Sequence, residues 1–517
     1  MNGAESLVKT LLASGVDVCF ANPGTSEMHF VAALDRHPDM RCILSLFEGG
    51  VSGAADGYYR MADKPAATLL HLGPGLANGL ANIHNARRAS SGMVNVVGEH
   101  ATKHLKFDAP LTSDIEGLAR PLSHWVRRGG SAETIAWDTA MAVAKASEHP
   151  GQIATLILPG DTAWQDAGGA IAPSPVAQGR KAPDPERIAQ VAKVLRSGEP
   201  TMLILANKAC RIEPLELAGK VAAGTGCRLA SQFFTNRIER GAGRVPLERI
   251  PYSVAPALKF LQGTRHIVTL ETKEPVAFFS YPGLPSLLKE PGTQVHALSE
   301  PDEDSTLALQ MLIDELGLGN AQAVYQTAAE AIMPSGKLDP VSIAHALCAG
   351  IPENGIVVDE SLTSGRESMS YTLGARPHDM INNLGGSIGY SPPVATGAAL
   401  ACPDRRTICL VGDGSAMYTI QALWTQAREQ LPVTTVVFAN NTYNILKAEY
   451  SNMGAGDRPS EAALTMIDID RPTIDWLSMG KAMGVPGVQV DTAEGLAKAL
   501  LDANGEAGPR LIEVKLY

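Results

Sequence analysis

Short apolar runs of strand length alternate with segments of helix length along nearly the whole chain, and this alternation constrains the fold more than any other feature. Strands joined by crossover helices predict parallel sheets that are covered on both faces. The 517 residues exceed what one hydrophobic core usually supports. The alternation falls into three blocks, so we predict three domains, at 1–168, 184–320 and 336–517. The sequence therefore predicts an α/β protein with three doubly wound parallel sheets.

The charge balance limits the partners that such a protein can bind. A formal net charge of -11 argues against a nucleic-acid partner, because binding to phosphate backbones needs a basic surface. The chain lacks an apolar run of about 18 residues, and its first ten residues do not resemble a secretion signal. We expect no membrane partner and a cytoplasmic location. Its seven scattered cysteines fit reduced thiols.

The most informative motif is Gly412-Asp413-Gly414-Ser415, which follows the predicted strand 407–411. A predicted helix (417–429) and a second strand (433–439) come next, and that strand ends at Asn440-Asn441-Thr442. Gly-rich turns beyond the carboxyl ends of parallel strands present backbone N–H groups to phosphates. We predict a diphosphate site here. The plainer alternative is a turn at Asp413 and a loop at Asn440, but the joint pattern is more specific than either motif alone.

A diphosphate at this place would need a hard divalent cation. Mg²⁺ prefers carboxylate and other oxygen ligands, often together with the phosphates of a ligand. The Asp413 carboxylate, the Asn440 side-chain oxygen and the Thr442 backbone carbonyl can supply them. We predict these three residues as Mg²⁺ ligands.

The joint GDG and NN pattern resembles the signature of thiamine-diphosphate-dependent enzymes, and the chain resembles the acetolactate synthase and benzoylformate decarboxylase superfamily. Segments 22–27, 48–58 and 71–78 look like parts of that family's pyrimidine-binding domain. The resemblance implies a thiamine-pyrimidine-binding domain at 1–168, a central domain at 184–320 and a thiamine-diphosphate- and Mg²⁺-binding domain at 336–517.

The resemblance also implies roles for individual residues. Glu48 would activate the cofactor through its aminopyrimidine ring, while Thr25 and His71 would lie near the reacting carbons, with His71 as acid and base. Glu48 can also be read as an acidic residue in the first turn of a helix, and His71 as a structural residue at a strand end. The other implied cofactor contacts are Thr363, Gly386, Ile388, Gly412, Asp413, Gly414, Ser415, Asn440, Thr442 and Tyr443.

Three features depart from the family's patterns. Where benzoylformate decarboxylase has a second histidine, the resemblance places Ser280 in this chain. The residue after Glu48 is Gly49, whereas acetolactate synthases commonly have Gln there. The central domain of acetolactate synthase holds FAD, but no G-x-G-x-x-G motif follows a strand between residues 170 and 316. We therefore expect no FAD.

The function that the resemblance implies is decarboxylation of a 2-oxo acid through an enamine on thiamine diphosphate, with Mg²⁺ as the second cofactor. The alternative is a carboligating transferase of the acetolactate synthase type, in which the same enamine attacks a second carbonyl compound. A non-catalytic ligand-binding protein is a third possibility, which intact Glu48, Asp413 and Asn440 argue against. The resemblance also implies a homodimer or homotetramer with active sites shared between subunits.

Overall fold

The computed structural model describes residues 1–330 and 332–517, and three sheets organise them. Six parallel strands form the first sheet: β1 (Val18–Asn22), β2 (Arg41–Leu44), β3 (Ala66–Leu70), β4 (Met93–Glu99), β5 (Trp125–Arg128) and β6 (Ile153–Pro159). Their spatial order is β2-β1-β3-β4-β6-β5. β4 and β6 are buried at every residue, because helices cover both faces of the sheet. Those helices are α1 (Gly3–Ala13), α2 (Met28–Leu34), α3 (Glu48–Ala62), α4 (Leu72–Arg88), α5 (Ile115–Ala119), α6 (Ile135–Ser147) and α7 (Gly160–Trp164).

The second sheet lies in the middle of the chain and is also parallel. The middle segment supplies β7 (Thr201–Leu205), β8 (Arg228–Ser231), β9 (Ile238–Arg240), β10 (Glu248–Arg249), β11 (His266–Leu270) and β12 (Gln294–Ser299). All of them except β9 form this sheet, in the order β10-β8-β7-β11-β12. Its helices are α8 (Pro185–Arg196), α9 (Ile212–Thr225), α10 (Val254–Leu261) and α11 (Ser305–Leu316).

The third sheet contains seven strands. Six come from the C-terminal part: β13 (Gly355–Glu360), β14 (His378–Asn382), β15 (Thr407–Gly412), β16 (Val433–Ala439), β17 (Gly487–Val490) and β18 (Arg510–Lys515). The order is β17-β18-β16-β15-β13-β14-β9, so β9 of the middle segment completes the edge, antiparallel to β14. The helices here are α12 (Pro340–Gly350), α13 (Ser368–Tyr371), α14 (Ser391–Ala401), α15 (Asp413–Ala416), α16 (Ala422–Arg428), α17 (Asn444–Asn452), α18 (Glu461–Leu464), α19 (Trp476–Ala482) and α20 (Ala493–Asn504).

Helices α3 and α14 join the first and third sheets. Glycines let their backbones touch: a Cβ at Gly57 would lie 2.0 Å from the Val394 carbonyl oxygen, and a Cβ at Gly397 would lie 1.8 Å from that of Ala54. One apolar core runs through this contact from the first sheet to the third. The fully buried Arg60 binds Asp56 and donates to the Asn382 carbonyl at 2.7 Å. The two sheets are therefore packed together within one chain.

The predicted fold class is confirmed, with two local corrections. The predicted helix 417–429 is wrong at its start, since only Ala422–Arg428 is α-helical. The N–H groups of Tyr418 and Thr419 instead bond to carbonyls three residues back, and the Thr419 hydroxyl donates to the Gly389 carbonyl at 2.8 Å. The third sheet also departs from the all-parallel expectation at β9. Within the described parts of the chain, no helix has the length and apolar character that crossing a membrane requires.

Candidate active site

The first candidate half-site lies where the strand order of the first sheet reverses. The chain passes from β1 to β2 on one side and from β3 to β4 on the other, so β1 and β3 flank the reversal. Ligands of open α/β sheets bind beyond the carboxyl ends of the strands at such a point. β1 leads into the short 3-10 helix Thr25–Glu27, and β3 leads directly into His71. The motifs predicted from sequence therefore meet at one sheet edge.

Glu27 and His71 are bonded to each other at this edge. Glu27 is buried, and its Oε2 lies 2.8 Å from His71 Nδ1. The same carboxylate accepts the Gly24 N–H at 2.7 Å and the Ser26 hydroxyl at 2.5 Å. A carboxylate that already accepts the Gly24 N–H and the Ser26 hydroxyl acts as an acceptor toward the imidazole as well. We therefore assign the proton of the Glu27–His71 bond to His71 Nδ1. The other ring nitrogen, Nε2, remains available for chemistry.

Glu48 lies beside His71. It is the first residue of α3 and is 8% exposed, and its Oε2 accepts a hydrogen bond from Asn78 Nδ2 at 3.0 Å. A Cβ placed on Gly75 would lie 3.3 Å from His71 Cβ and 3.4 Å from Glu48 Oε1. Glu48 thus lies in the first turn of a helix, as one interpretation of the sequence predicts. It also lies close to Gly75 and His71, as the predicted catalytic role requires.

The second candidate half-site lies at the matching reversal in the third sheet. The chain passes from β13 to β14 on one side and from β15 to β16 on the other. Glu360, the last residue of β13, is buried and accepts the backbone N–H groups of Gly389, Tyr390 and Ser391 at 2.8 to 3.0 Å. Burial raises the pKa of Glu360 to about 7. Glu360 fixes the loop before α14.

Asp413 begins the helical turn that follows β15. Its carboxylate is 2% exposed and accepts the backbone N–H groups of Gly414 at 2.8 Å and Asn441 at 2.6 Å. Burial raises the pKa of the Asp413 carboxyl, although these N–H groups oppose the shift. A nearby cation would favour the charged form. A buried carboxylate at a strand end fits a site for a divalent cation.

The segment after β16 contributes further oxygen atoms and a ring. Asn440 Oδ1 accepts the Thr442 N–H at 3.0 Å, so the Asn440 side chain lies against the backbone of Thr442. The Tyr443 ring lies so close to Gly414 that a Cβ there would be 2.3 Å from it. A Cβ at Gly412, by contrast, would meet open space. These residues, with their carboxylate and amide oxygens, fit the diphosphate and Mg²⁺ that the sequence predicts.

The loop before α14 connects this half-site to the N-terminal part of the same chain. Asn383 Oδ1 accepts the N–H groups of Gly385 and Gly386, and Asn85 donates to the Ser387 carbonyl at 2.9 Å. Gly386 has a φ of 76°, which glycine adopts without strain. Ile388 is half-buried beside it. The loop therefore has a fixed shape, as a cofactor-supporting loop requires.

Three other predicted residues lie at the edges of these half-sites. Thr25 is exposed at the start of its 3-10 helix. Ser280 is exposed between Phe279 and Tyr281. Thr363 Oγ1 accepts a hydrogen bond of 3.4 Å from Asn444 Nδ2, close after the NN motif. The role of Ser280 stays a prediction.

Glu48 and His71 have different side-chain hydrogen-bond partners from Asp413. The side-chain hydrogen bonds of Glu48 and His71 end on Ser26, Glu27 and Asn78, whereas those of Asp413 end on Gly414 and Asn441. In the described residues, no hydrogen bond joins the two groups.

The sequence reading assigned no role to Glu27 or Glu360. Each is an acidic residue at or just beyond the carboxyl end of a strand that flanks a reversal of strand order. That position is a usable signal, but the reversal is visible only once the strand order is known.

Comparison with known proteins supports the same assignment. Residues 1–119 match the family model of the thiamine pyrophosphate enzyme N-terminal TPP binding domain, and residues 364–514 match that of the C-terminal TPP binding domain. The chain is 50% identical to a provisionally named acetolactate synthase large subunit, IlvX, of Mycobacterium tuberculosis, over 99% of each chain. It is 26% identical to benzoylformate decarboxylase of Pseudomonas aeruginosa, over 97% of this chain and 96% of that one.

A solved structure shows the same fold. The thiamine diphosphate-dependent 4-hydroxybenzoylformate decarboxylase of Rhodococcus jostii RHA1 superposes with a TM-score of 0.85 at 23% identity, covering 100% of this chain and 99% of that one. Together with the two matching domain models and the half-identical relative, the strand-end motifs show that the chain belongs to the thiamine-diphosphate-dependent enzymes of the acetolactate synthase and benzoylformate decarboxylase family.

Proposed function

We propose that this enzyme decarboxylates a 2-oxo acid, with Glu48 as the activating carboxylate, His71 as the acid and base, and Mg²⁺ as the second cofactor. The observation that carries this proposal is the placement of His71 beside Glu48, held there by buried Glu27. A histidine with one nitrogen fixed by a carboxylate and the other free is suited to proton transfer near neutral pH.

Thiamine diphosphate, when bound, supplies the carbanion chemistry that makes loss of CO₂ from a 2-oxo acid feasible. The residues that we propose to hold its diphosphate and Mg²⁺ belong to the second half-site: Thr363, Gly412, Asp413, Gly414, Ser415, Asn440, Thr442 and Tyr443. Gly386 and Ile388 would support its rings from the loop before α14. Asp413, Asn440 and Thr442 would be the protein ligands of the metal.

The chain's own groups then have separate tasks. Glu48, shielded from water and bonded to Asn78, would hydrogen-bond to the aminopyrimidine ring of the cofactor and so favour the tautomer that activates it. His71 would deliver or accept a proton at Nε2 next to the reacting carbon, with Thr25 nearby. Glu27 would hold the imidazole in one orientation throughout.

Within one chain, no hydrogen bond of the described residues joins Glu48 or His71 to Asp413, and the family resemblance implies shared active sites. We propose that each active site forms between two copies, the first half-site of one facing the second half-site of the other. A homodimer or homotetramer satisfies this requirement. Neither half-site alone would then support turnover.

Carboligation is the second candidate function. The Mycobacterium tuberculosis relative with 50% identity is named as an acetolactate synthase large subunit. By the family resemblance, Ser280 takes the place of the second histidine of benzoylformate decarboxylase, and a serine there would favour attack on a second carbonyl compound over rapid protonation. This chain is 50% identical to that relative and 26% identical to the benzoylformate decarboxylase, so carboligation should be tested directly.

An NMR product assay separates the two candidates. Protein loaded with thiamine diphosphate and Mg²⁺ is supplied with pyruvate, longer 2-oxo acids and benzoylformate. Aldehyde as the main product supports the decarboxylase, and a 2-hydroxyketone as the main product supports the carboligase. Bound cofactor without turnover of any 2-oxo acid would contradict both.

A further inference from the structure

Six aromatic side chains of the middle segment form a cluster next to the second half-site. Their neighbouring ring centroids are 4.6 to 6.4 Å apart. Phe278 and Phe279 are 42% and 44% exposed, which is high for residues of this size. We call these residues the aromatic cluster: Phe233, Phe234, Tyr252, Phe278, Phe279 and Tyr281.

The aromatic cluster touches the proposed cofactor loop. A Cβ placed on Gly386 would lie 2.8 Å from Phe278 Cζ, so the Phe278 ring packs directly on that loop. The cluster extends from there through Tyr252, whose ring centroid is 5.6 Å from that of Phe278. The aromatic cluster therefore extends from the proposed cofactor loop to Tyr252.

A carboxylate faces the far end of the aromatic cluster. Glu449 lies on α17, which begins directly after Thr442 and Tyr443. Its Oε2 is buried and has no hydrogen-bond partner in the described residues, while Oε1 accepts only a 3.4 Å bond from Asn452. The nearest basic residue in sequence, Lys447, is held by Asp468 at 2.8 Å. Burial and the neighbouring Glu449 together raise the pKa of the Tyr281 hydroxyl.

An unpartnered carboxylate oxygen out of water is costly, so such atoms normally have a partner in the functioning protein. A carboxylate beside aromatic faces suits an organic cation in particular, because the faces of the rings attract positive charge as well.

We propose that the aromatic cluster and Glu449 bind the distal end of the substrate, and that the preferred 2-oxo acids carry a positively charged guanidinium or ammonium group there. This inference rests on the proposed function, since it names the substrate class of the same site. Glu449 pairs with the cation, while Phe278 and Tyr252 enclose the methylene chain.

A binding measurement tests the inference without requiring turnover. Calorimetric titration of the holoenzyme compares butylguanidinium with butylurea, which has nearly the same shape but no charge. We expect at least tenfold tighter binding of the cation, and loss of that preference in Glu449→Gln. Glu133→Gln, which removes an exposed carboxylate elsewhere, is expected to keep it.

A turnover measurement uses the same contrast. The ratio of kcat/KM for 5-guanidino-2-oxopentanoate to that for its 5-ureido analogue is expected to exceed ten in the wild type and to approach one in Glu449→Gln. Turnover of neutral 2-oxo acids without any preference for the cations, in binding or in rate, would overturn the inference and leave the proposed function intact. If no 2-oxo acid is turned over, the proposed function fails and the titration still decides the inference. A Glu449→Gln variant that loses thermal stability but keeps the cation preference would overturn the inference and show that Glu449 contributes only to the stability of the fold.

Discussion

The Glu27 carboxylate lies 2.8 Å from His71 Nδ1, although 44 residues separate the two in sequence. Glu27 follows β1 and His71 follows β3, and these neighbouring parallel strands bring both residues to one sheet edge. Glycines leave room for the pair. A Cβ on Gly24 would lie 2.3 Å from His71 Nδ1, and a Cβ on Gly98 would lie 1.6 Å from Glu27 Oε1. Residues with a side chain at positions 24 and 98 would therefore collide with the hydrogen-bonded pair.

The first prediction concerns that bond. We expect Glu27→Gln to lower kcat roughly 100-fold with little change in the KM for a 2-oxo acid, because the imidazole loses its fixed orientation while the binding surfaces remain. Steady-state kinetics with cofactor-saturated protein measure both constants.

Gly98→Ala provides an independent check, since the new methyl group would displace the Glu27 carboxylate without removing it. Its kcat should fall in the same way. Thermal unfolding of both variants near the wild-type temperature is the necessary control. An unchanged kcat in folded Glu27→Gln would show that Glu27 does not position His71.

The second prediction concerns the proposed active site between two subunits. Glu48→Gln and Asp413→Asn are each expected to abolish turnover in homodimers. In a mixture with full subunit exchange, half of the dimers are hybrids, and each hybrid has one site with neither substitution. About a quarter of wild-type activity should therefore return. The assay needs a tag on one variant to confirm that hybrids form. No recovery in confirmed hybrids would place each active site within a single chain.

Much of the fold can be predicted because a buried strand is visible in its own residues, as an apolar run that ends at a turn. β4, β6, β15 and β16 are nearly continuous apolar runs that are followed by turns or helices, and their positions follow from composition alone. The GDG and NN motifs are recognisable for the same reason, since each stands directly after such a run.

Other features depend on contacts between distant segments and carry no local signal. β9 has only three residues and becomes a strand because β14 offers it a free edge. The first residues of the helix predicted at 417–429 form turns, and there the Thr419 hydroxyl bonds to Gly389, 30 residues earlier. The link between Glu27 and His71 requires the strand order, and the unpartnered oxygen of Glu449 requires the packing of the middle segment on α17.

The third prediction concerns stability at acid pH. His378 begins β14, and its Nδ1–H donates to the Arg376 carbonyl at 2.7 Å, while Nε2 is buried without a partner in the described residues. Burial, with Arg240 nearby, lowers the pKa of His378 to about 3. The unfolded chain therefore binds a proton below its ordinary pKa of about 6.5, whereas the folded protein does not until about 3.

His378 thus makes the free energy of unfolding fall as pH decreases from about 6.5 toward 3, by at most about 1.4 kcal/mol per pH unit. Urea unfolding at several pH values measures this slope. His378→Phe should have a smaller slope by roughly one proton, while the same substitution at the exposed His104 is the control and should leave the slope unchanged. Equal slopes in wild type and His378→Phe would contradict the assignment.

The last prediction concerns the contact between α3 and α14. A Cβ at position 397 would lie 1.8 Å from the Ala54 carbonyl oxygen, which belongs to helix backbone and cannot rotate away. We expect Gly397→Ala to destabilise the protein by about 1 to 3 kcal/mol, the usual cost of overpacking a core. Gly319→Ala is the matched control, because a Cβ there meets open space. Since α3 begins at Glu48 and α14 begins beside the Glu360-bound loop, the displaced helices should also weaken binding of thiamine diphosphate. Thermal unfolding and cofactor titration measure the two effects, and a Gly397→Ala variant as stable as Gly319→Ala would show that the two helices do not need this close approach.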